Sequence, residues 1–259
     1  MTAPPPRILV TGASSGLGAA LAVRYAAPGV ELGLIARGEA RLAEVARQCV
    51  GRGAGATPLP ADVADASAVE AAVRHFLRDG PVDLLVAAAG VSAGVPEGAA
   101  TEGAASVAMQ VRTNLLGVVH VVEPVAQDMA ARGEGVIVVV SSVAGLRGLP
   151  YSPGYSASKA GVRAYGEAMR ALLAPRGVHV LVTTPGFFDT PMTDRWRGPT
   201  PGLWSLDRTA AATARAAAKR QARHGFPASL LLGMRLADLG PPWLTDRVLR
   251  GFRFRIDPP

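Results

Sequence analysis

The chain has 259 residues and a formal net charge of +7, and 49% of it is apolar but only 5% aromatic, so its core is built mostly from Ala, Val and Leu. That length suits one α/β domain burying roughly three quarters of its unfolded surface. Small aliphatic side chains in such number suit a parallel sheet covered by helices, and no apolar stretch reaches the roughly 18 residues of a membrane span.

The first seven residues, Met1 to Arg7, lack the charged-then-apolar build of a signal peptide. The lone Cys49 excludes an internal disulfide and fits a reducing cytoplasm, where it packs on a helix rather than reacts. His75, His120, His179 and His224 are too scattered for a metal site. Charge is unevenly spread. Residues 1–194 hold 15 Lys and Arg against 16 Asp and Glu, a net −1, whereas residues 195–259 hold 12 against 4, a net +8.

Residues 7–11 read as a strand that runs into Gly12-Ala13-Ser14-Ser15-Gly16-Leu17-Gly18 and then into an Ala/Leu-rich helix stopping near Pro28-Gly29. Strand, glycine turn and helix are the setting a dinucleotide motif needs. Gly12 permits the tight turn, Gly16 lets the backbone approach a pyrophosphate, and Gly18 lets the helix sit close on the sheet. The helix start offers free N–H groups and a positive dipole end to phosphates.

A second strand over 31–36 ends at Ala36-Arg37, where NAD-selective folds carry an acid for the ribose 2′-hydroxyl. An Arg cannot accept from a hydroxyl, but its fork suits a 2′-phosphate, and Ser14 and Ser15 add hydroxyl donors. The expectation is NADP(H) rather than NAD(H). A solvated Arg37 at a helix start is the plain alternative, and Glu39 is a competitor for its charge.

A helix over 41–50, a loop over 51–55 and a third strand over 56–60 follow. Asp62-Val63 then stands at the same sheet edge, with Asp62 placed to accept from an adenine amino group, to cap the helix beginning near Ala66, or both. Residues 82–87 form a fourth strand leading into Ala87-Ala88-Ala89-Gly90. A long helix over 107–129 carries Asn114, either as a satisfied packing residue or as support for a water near Lys159.

The fifth strand, over 134–140, is a very apolar run that ends at Ser141-Ser142. Ser142 therefore stands at the carboxyl edge of the sheet, where ligands collect in open α/β folds. Tyr155 and Lys159 are four apart on the next helix, which runs to about Leu173 and is closed by Pro175. They share one face. A phenol near pKa ~10 is a poor acid or base at neutral pH, and an ammonium beside it pulls that pKa down. A hydroxyl donor, a tunable phenol and a cation converging on one edge make a proton-transfer site for a carbonyl or alcohol. A sixth strand over 178–183 precedes Pro185-Gly186-Phe187-Phe188-Asp189-Thr190.

Strands alternating with helices at this spacing predict a Rossmann fold: a doubly wound, mostly parallel sheet of about seven strands with helices on both faces. It forms a single domain over residues 1–259 with a basic C-terminal extension from about 195. Taken together, Thr11-Gly12-x-x-x-Gly16-x-Gly18, Asp62-Val63, Asn114, Ser142, Tyr155-x-x-x-Lys159 and Pro185-Gly186-x-x-x-Thr190 resemble the short-chain dehydrogenase/reductase family over roughly residues 7–192, in its NADP-preferring type.

The resemblance implies a catalytic tetrad of Asn114, Ser142, Tyr155 and Lys159. Tyr155 would be the general acid/base, Ser142 would polarise the substrate carbonyl, Lys159 would lower the Tyr155 pKa and bind the nicotinamide ribose, and Asn114 would anchor a relay water. It also implies a cofactor cleft that includes Leu17, Val63, Ala89 and Gly90, with Pro185, Gly186, Phe188 and Thr190 along the nicotinamide. One departure stands out: the family usually has Asn-Asn-Ala-Gly where this chain has Ala87-Ala88-Ala89-Gly90. Family habit further implies a homodimer or homotetramer.

Past Thr190 the expectations are a Pro/Gly/Trp lid over 193–204, an Ala/Arg helix over 207–224, a last strand within 226–233, and an amphipathic surface helix over 236–256 in which Arg and apolar residues interleave. That last segment has three readings: a helix packed on the body or a mate, peripheral contact with an anionic membrane, or an acidic partner. Nucleic-acid binding has no motif behind it. The expected activity is hydride transfer between NADP(H) and a hydrophobic ketone/secondary-alcohol pair. The alternative is a cofactor-binding sensor or scaffold without turnover.

Overall fold

In the computed structural model, which describes residues 6–257, the strands are β1 (Arg7–Thr11), β2 (Glu31–Ala36), β3 (Gly55–Pro60), β4 (Leu84–Ala87), β5 (Gly135–Val140), β6 (Val178–Pro185) and, beyond a short β7 (Trp196–Arg197), β8 (Arg223–Phe226). The seven long strands lie in the order β3-β2-β1-β4-β5-β6-β8, all parallel. The apolar runs of β1, β2, β4, β5 and β6 pair in the middle of this one sheet because each is too hydrophobic to face water on either side, and the more polar β3 and β8 take the edges. Strand order reverses between β1 and β4, and a crevice opens at the carboxyl ends of these two strands.

Helices cover both faces. On one side lie α1 (Gly16–Tyr25), α2 (Glu39–Val50) and, late in the chain, a helix over Leu206–Ala218. On the other lie α3 (Ala66–Leu77), α4 (Ala104–Gln110), α5 (Gly117–Arg132) and α6 (Pro153–Leu173). Their buried positions follow the three-and-four spacing of an amphipathic helix. α2 buries Leu42, Val45, Ala46 and Cys49, and α6 buries Val162, Gly166, Met169 and Leu173. Cys49 is thus a core residue, and burial pushes its thiol pKa up.

The helix carrying Asn114 is longer than expected. α4 and α5 are joined by a π-helical turn, Val111–Leu116, and the whole runs from Ala104 to Arg132. By length and mean composition this helix resembles a membrane span, but Arg112, His120, Glu123, Asp128 and Arg132 interrupt it, so no continuous apolar stretch of that length is present. Its hydrophobicity serves the core instead: Val118, Val121, Val122, Val125 and Met129 are buried against the sheet. The helix after Asp62 is capped by Asp65, whose carboxylate accepts from Ser67 and Ala68 N–H, so the expected cap at Asp62 is one turn early.

The C-terminal quarter departs most from expectation. α7 (Leu206–Ala218) ends before the strand β8, which occupies Arg223–Phe226. Residues expected as a last strand begin α8 (Ala228–Leu239) instead. The expected long amphipathic helix is broken by Gly240-Pro241-Pro242. What remains is α9 (Pro242–Gly251), then an extended return in which β9 (Arg255–Ile256) pairs antiparallel with β7. A Pro pair denies the helix its amide donors. Over Phe252 to Ile256 the apolar residues alternate with arginines, Phe254 facing inward and Arg253 and Arg255 outward, which is strand period rather than helix period. The reading of Met1 to Arg7 rests mainly on residues 1–5, which lie outside the described residues.

Candidate active site

A cavity of about 300 Å³ occupies the crevice at the carboxyl edge of the sheet. Its floor is the turn between β1 and α1. Gly12 and Gly16 both have left-handed backbones, at φ +67° and +55°, which a residue with a side chain adopts only under strain. A Cβ on Gly18 would fall 2.4 Å from the Gly12 carbonyl oxygen, so α1 rests directly on the turn. Ser15 is the N-cap of α1, yet its side chain makes no cap bond. Its hydroxyl and the helix N–H groups are therefore available to an anion. Ser14 and Leu17 line the same wall.

One end of the cavity is basic. Arg37 follows β2, and its guanidinium lies 3.8 Å from an Asp62 carboxylate oxygen, both side chains substantially exposed. The competitor for Arg37 is therefore Asp62, not Glu39. The other Asp62 oxygen accepts from Ala64 N–H, and Val63 lines the cavity beside it. A second cation, Arg41, also reaches this end: a Cβ on Gly38 would lie 3.4 Å from its guanidinium. Arg41 was not singled out from the sequence, although it stands four residues after Arg37.

The loop after β4 forms the middle of the cavity. Thr11 Oγ1 accepts from both Ala88 and Ala89 N–H, at 3.1 and 3.2 Å. A Thr at the end of β1 thereby secures the segment that lacks the usual asparagines. Ala89 and Gly90 line the cavity, and a Cβ on Gly90 would sit 3.3 Å from both Lys159 Nζ and Asn114 Oδ1.

Tyr155 and Lys159, from α6, face this loop. Ser142, whose Oγ accepts from Ala144 N–H at 3.2 Å, lines the cavity with Tyr155. Lys159 Nζ donates to the Val140 carbonyl at 2.9 Å and lies 5.9 Å from the centre of the Tyr155 ring. Burial dominates the titration of both groups: it pushes the phenol up, partly offset by the Ser142 hydroxyl, and pushes the ammonium down to about 8. The expected lowering of Tyr155 by Lys159 is thus overridden by desolvation here, and the phenol keeps its proton at neutral pH.

Asn114 does not line the cavity. It is fully buried in the π turn, with Oδ1 accepting from Val91 N–H at 2.7 Å and Nδ2 donating to the Val91 carbonyl and Ser158 Oγ, each at 2.9 Å. Its side chain ties the β4 loop to α6. Pro185, Gly186, Phe188 and Thr190 line the far wall after β6. Thr190 Oγ1 accepts from Thr193 N–H, which shapes the following turn.

The mouth was only partly foreseen. From the expected lid come Thr193 and Trp196, and Trp196 stacks on Phe254 with ring centres 3.8 Å apart. Ile256, from the C-terminal return, also lines the cavity, with Leu149, Phe187 and Met192. Arg195 fastens that return by donating to the Asp257 and Ser92 carbonyls. Only the alternation at Phe252 to Ile256 hinted that the tail would come back to the site.

The family model for short chain dehydrogenases matches residues 6–200. The ketoacyl reductase 1 assigned to the granaticin polyketide synthase of Streptomyces violaceoruber is 39% identical over 209 residues, covering 79% of this chain and 76% of that one. The crystal structure of a variant actinorhodin polyketide ketoreductase with NADPH superposes with a TM-score of 0.76 at 29% identity, covering 89% of this chain and 99% of that one. A short chain dehydrogenase/reductase from Burkholderia phymatum, in complex with NAD, gives a TM-score of 0.82 at 27% identity, covering 90% and 93%. With three quarters of its length inside the family model and its glycine turn, Ser142, Tyr155 and Lys159 meeting in one crevice, the chain belongs to the short-chain dehydrogenase family, oxidoreductases that bind a nicotinamide cofactor on a Rossmann fold.

Proposed function

We propose that this protein reduces a hydrophobic ketone to a secondary alcohol with NADPH, reversibly, and that Tyr155 is its general acid/base. The observation that carries the reading is the meeting of Tyr155, Ser142 and Lys159 in the cavity that also holds the glycine turn. The glycine turn, the unspent Ser15 hydroxyl and the basic end at Arg37 and Arg41 fit a phosphorylated dinucleotide. When bound, the nicotinamide supplies or takes the hydride.

The chain's own residues do the rest. Ser142 Oγ holds the substrate oxygen beside the Tyr155 hydroxyl. Tyr155 gives its proton to that oxygen as negative charge develops on it, and a phenol kept protonated by burial suits this direction at neutral pH. Lys159, buried and cationic below about pH 8, stabilises the phenolate left behind and anchors the ribose. Asn114 holds the Val91 backbone and Ser158 so that the loop and α6 keep their spacing. Leu149, Phe187, Met192, Trp196 and Ile256 give the mouth an apolar lining, which favours an apolar ketone. NADPH over NADH rests on the two arginines and on the lack of an acid at the end of β2.

The test is Tyr155→Phe assayed with NADPH and a panel of apolar ketones. The ring stays and the proton is lost, so kcat falls by about 10²–10⁴-fold while NADPH affinity is kept. A mutant that turns over like wild type refutes the acid/base role.

A further inference from the structure

Glu102 is a buried carboxylate, 5% exposed, that none of the chemistry above uses. It lies in the segment between the β4 loop and α4, and no cation partners it among the described residues. Three donors converge on it: Gln110 Nε2, Ser106 Oγ at 3.1 Å, and the backbone N–H of Gly154 at 2.8 Å. Gly154 is in the first turn of α6, next to Tyr155. Its N–H is one of the helix-start donors without a partner inside the helix, and an acid there also meets the positive end of the dipole.

Gln110 is fully buried and continues the chain of bonds. Its Oε1 accepts from Ala93 N–H at 3.0 Å, and the Ala93 carbonyl accepts from Ser152 Oγ at 2.5 Å. Ser152 is the N-cap of α6. One closed circuit therefore joins Glu102, Gln110, the Ala93 peptide and the start of the helix that carries Tyr155. An independent feature agrees. A Cβ on Gly154 would lie 2.8 Å from Gln110 Nε2 and 3.1 Å from the Glu102 carboxylate, so the glycine is what lets the circuit seat on the helix.

We propose that Glu102 is a positioning residue for the reaction: through Gly154 and Gln110 it holds the first turn of α6 and the loop at Ala93 in register, so that Tyr155 meets a substrate oxygen at the right place. This rests on the reading of Tyr155 as the acid/base. Small displacements of a reacting group cost large factors in rate. The expected signature is a loss in kcat, with the position of the pH profile unchanged, because geometry is lost and not a titrating group.

The experiment compares wild type, Glu102→Ala, Glu102→Gln and Gly154→Ala, using NADPH and an apolar ketone. It follows kcat and KM across pH, NADPH affinity by fluorescence, and hydrogen exchange of the peptide spanning residues 150–158. Gln at 102 keeps the volume and an acceptor for Gly154 N–H but turns an NH₂ toward the Gln110 NH₂. It serves as the folded control if Glu102→Ala fails to fold. We expect kcat to fall about 10- to 100-fold in Glu102→Ala and less in Glu102→Gln. Exchange at 150–158 rises in both, and NADPH affinity stays close to wild type. Gly154→Ala lowers kcat in either background, since its Cβ also meets Gln110 Nε2 and the Val107 Cα.

Wild-type kcat in Glu102→Gln, faster exchange with no loss of kcat, or equal losses of kcat and NADPH affinity would each overturn the proposal. So would a displaced pH profile, which would mean Glu102 acts by its charge. The exchange readout does not depend on Tyr155 chemistry, so failure here is separable from failure of the Tyr155→Phe test.

Discussion

Replacing Arg37 by Ala probes cofactor choice at a single side chain. In the structure its guanidinium faces Asp62 at 3.8 Å, with the two side chains 65% and 42% exposed. An ion pair so open to solvent contributes about 0–1 kcal/mol. A 2′-phosphate in its place would take charge-assisted hydrogen bonds from the same fork, about 1.5–3 kcal/mol. Subtracting the exposed pair that must be given up leaves about 0.5–3 kcal/mol, or about a 2- to 140-fold change in dissociation constant. NADPH binding to Arg37→Ala, followed by fluorescence titration at fixed ionic strength, weakens by that factor. NADH, which has no phosphate there, binds as before. Arg41→Ala repeats the asymmetry, and the double variant exceeds either single one. Equal weakening of both cofactors would refute the 2′-phosphate argument, because the loss would then come from the adenosine pocket as a whole.

Two further outcomes follow from the same geometry. Ketone reduction holds a plateau through neutral pH and declines as pH rises past about 8, where Lys159 loses its charge, whereas alcohol oxidation, which needs the phenolate, gains with pH; initial rates in both directions from pH 6 to 10 check this, and a reduction rate climbing above pH 8 contradicts it. Ile256→Ala removes three carbons of apolar surface from the mouth and raises KM for a bulky apolar ketone by up to about 50-fold at roughly 0.8 kcal/mol per lost carbon, while NADPH affinity is unchanged; unchanged ketone kinetics would remove the tail from the substrate site.

Much of this site was legible in one dimension because its parts are local. The glycine turn needs a left-handed Gly12 and Gly16 between a strand and a helix, all within a dozen residues. Tyr155 and Lys159 share a face because a helix brings residues four apart together. Ser142 was placed by the apolar run of β5 in front of it. Arg37 was read from the end of β2, but its actual partner, Asp62, lies at the end of β3, a pairing that sheet register creates and chain distance hides. Burial also pushes the Tyr155 phenol up, because the depth of a pocket is a property of everything packed around it, not of one neighbour four residues along.

Periodicity and turn chemistry in this chain were sufficient for a doubly wound parallel sheet, its order of elements to β6 and the residues at its carboxyl edge, since these depend on interactions within a strand, a turn or one helix. The C-terminal quarter was not so constrained. Its Arg-rich composition admits several arrangements, and the one adopted depends on Phe254 finding the Trp196 ring and on β9 finding β7, some sixty residues away. The same holds for the circuit from Glu102 to Gly154, which joins residues 52 apart through a glutamine and a loop peptide. Contacts of that kind exist only once the sheet has brought distant segments together, and so they are decided by packing in three dimensions.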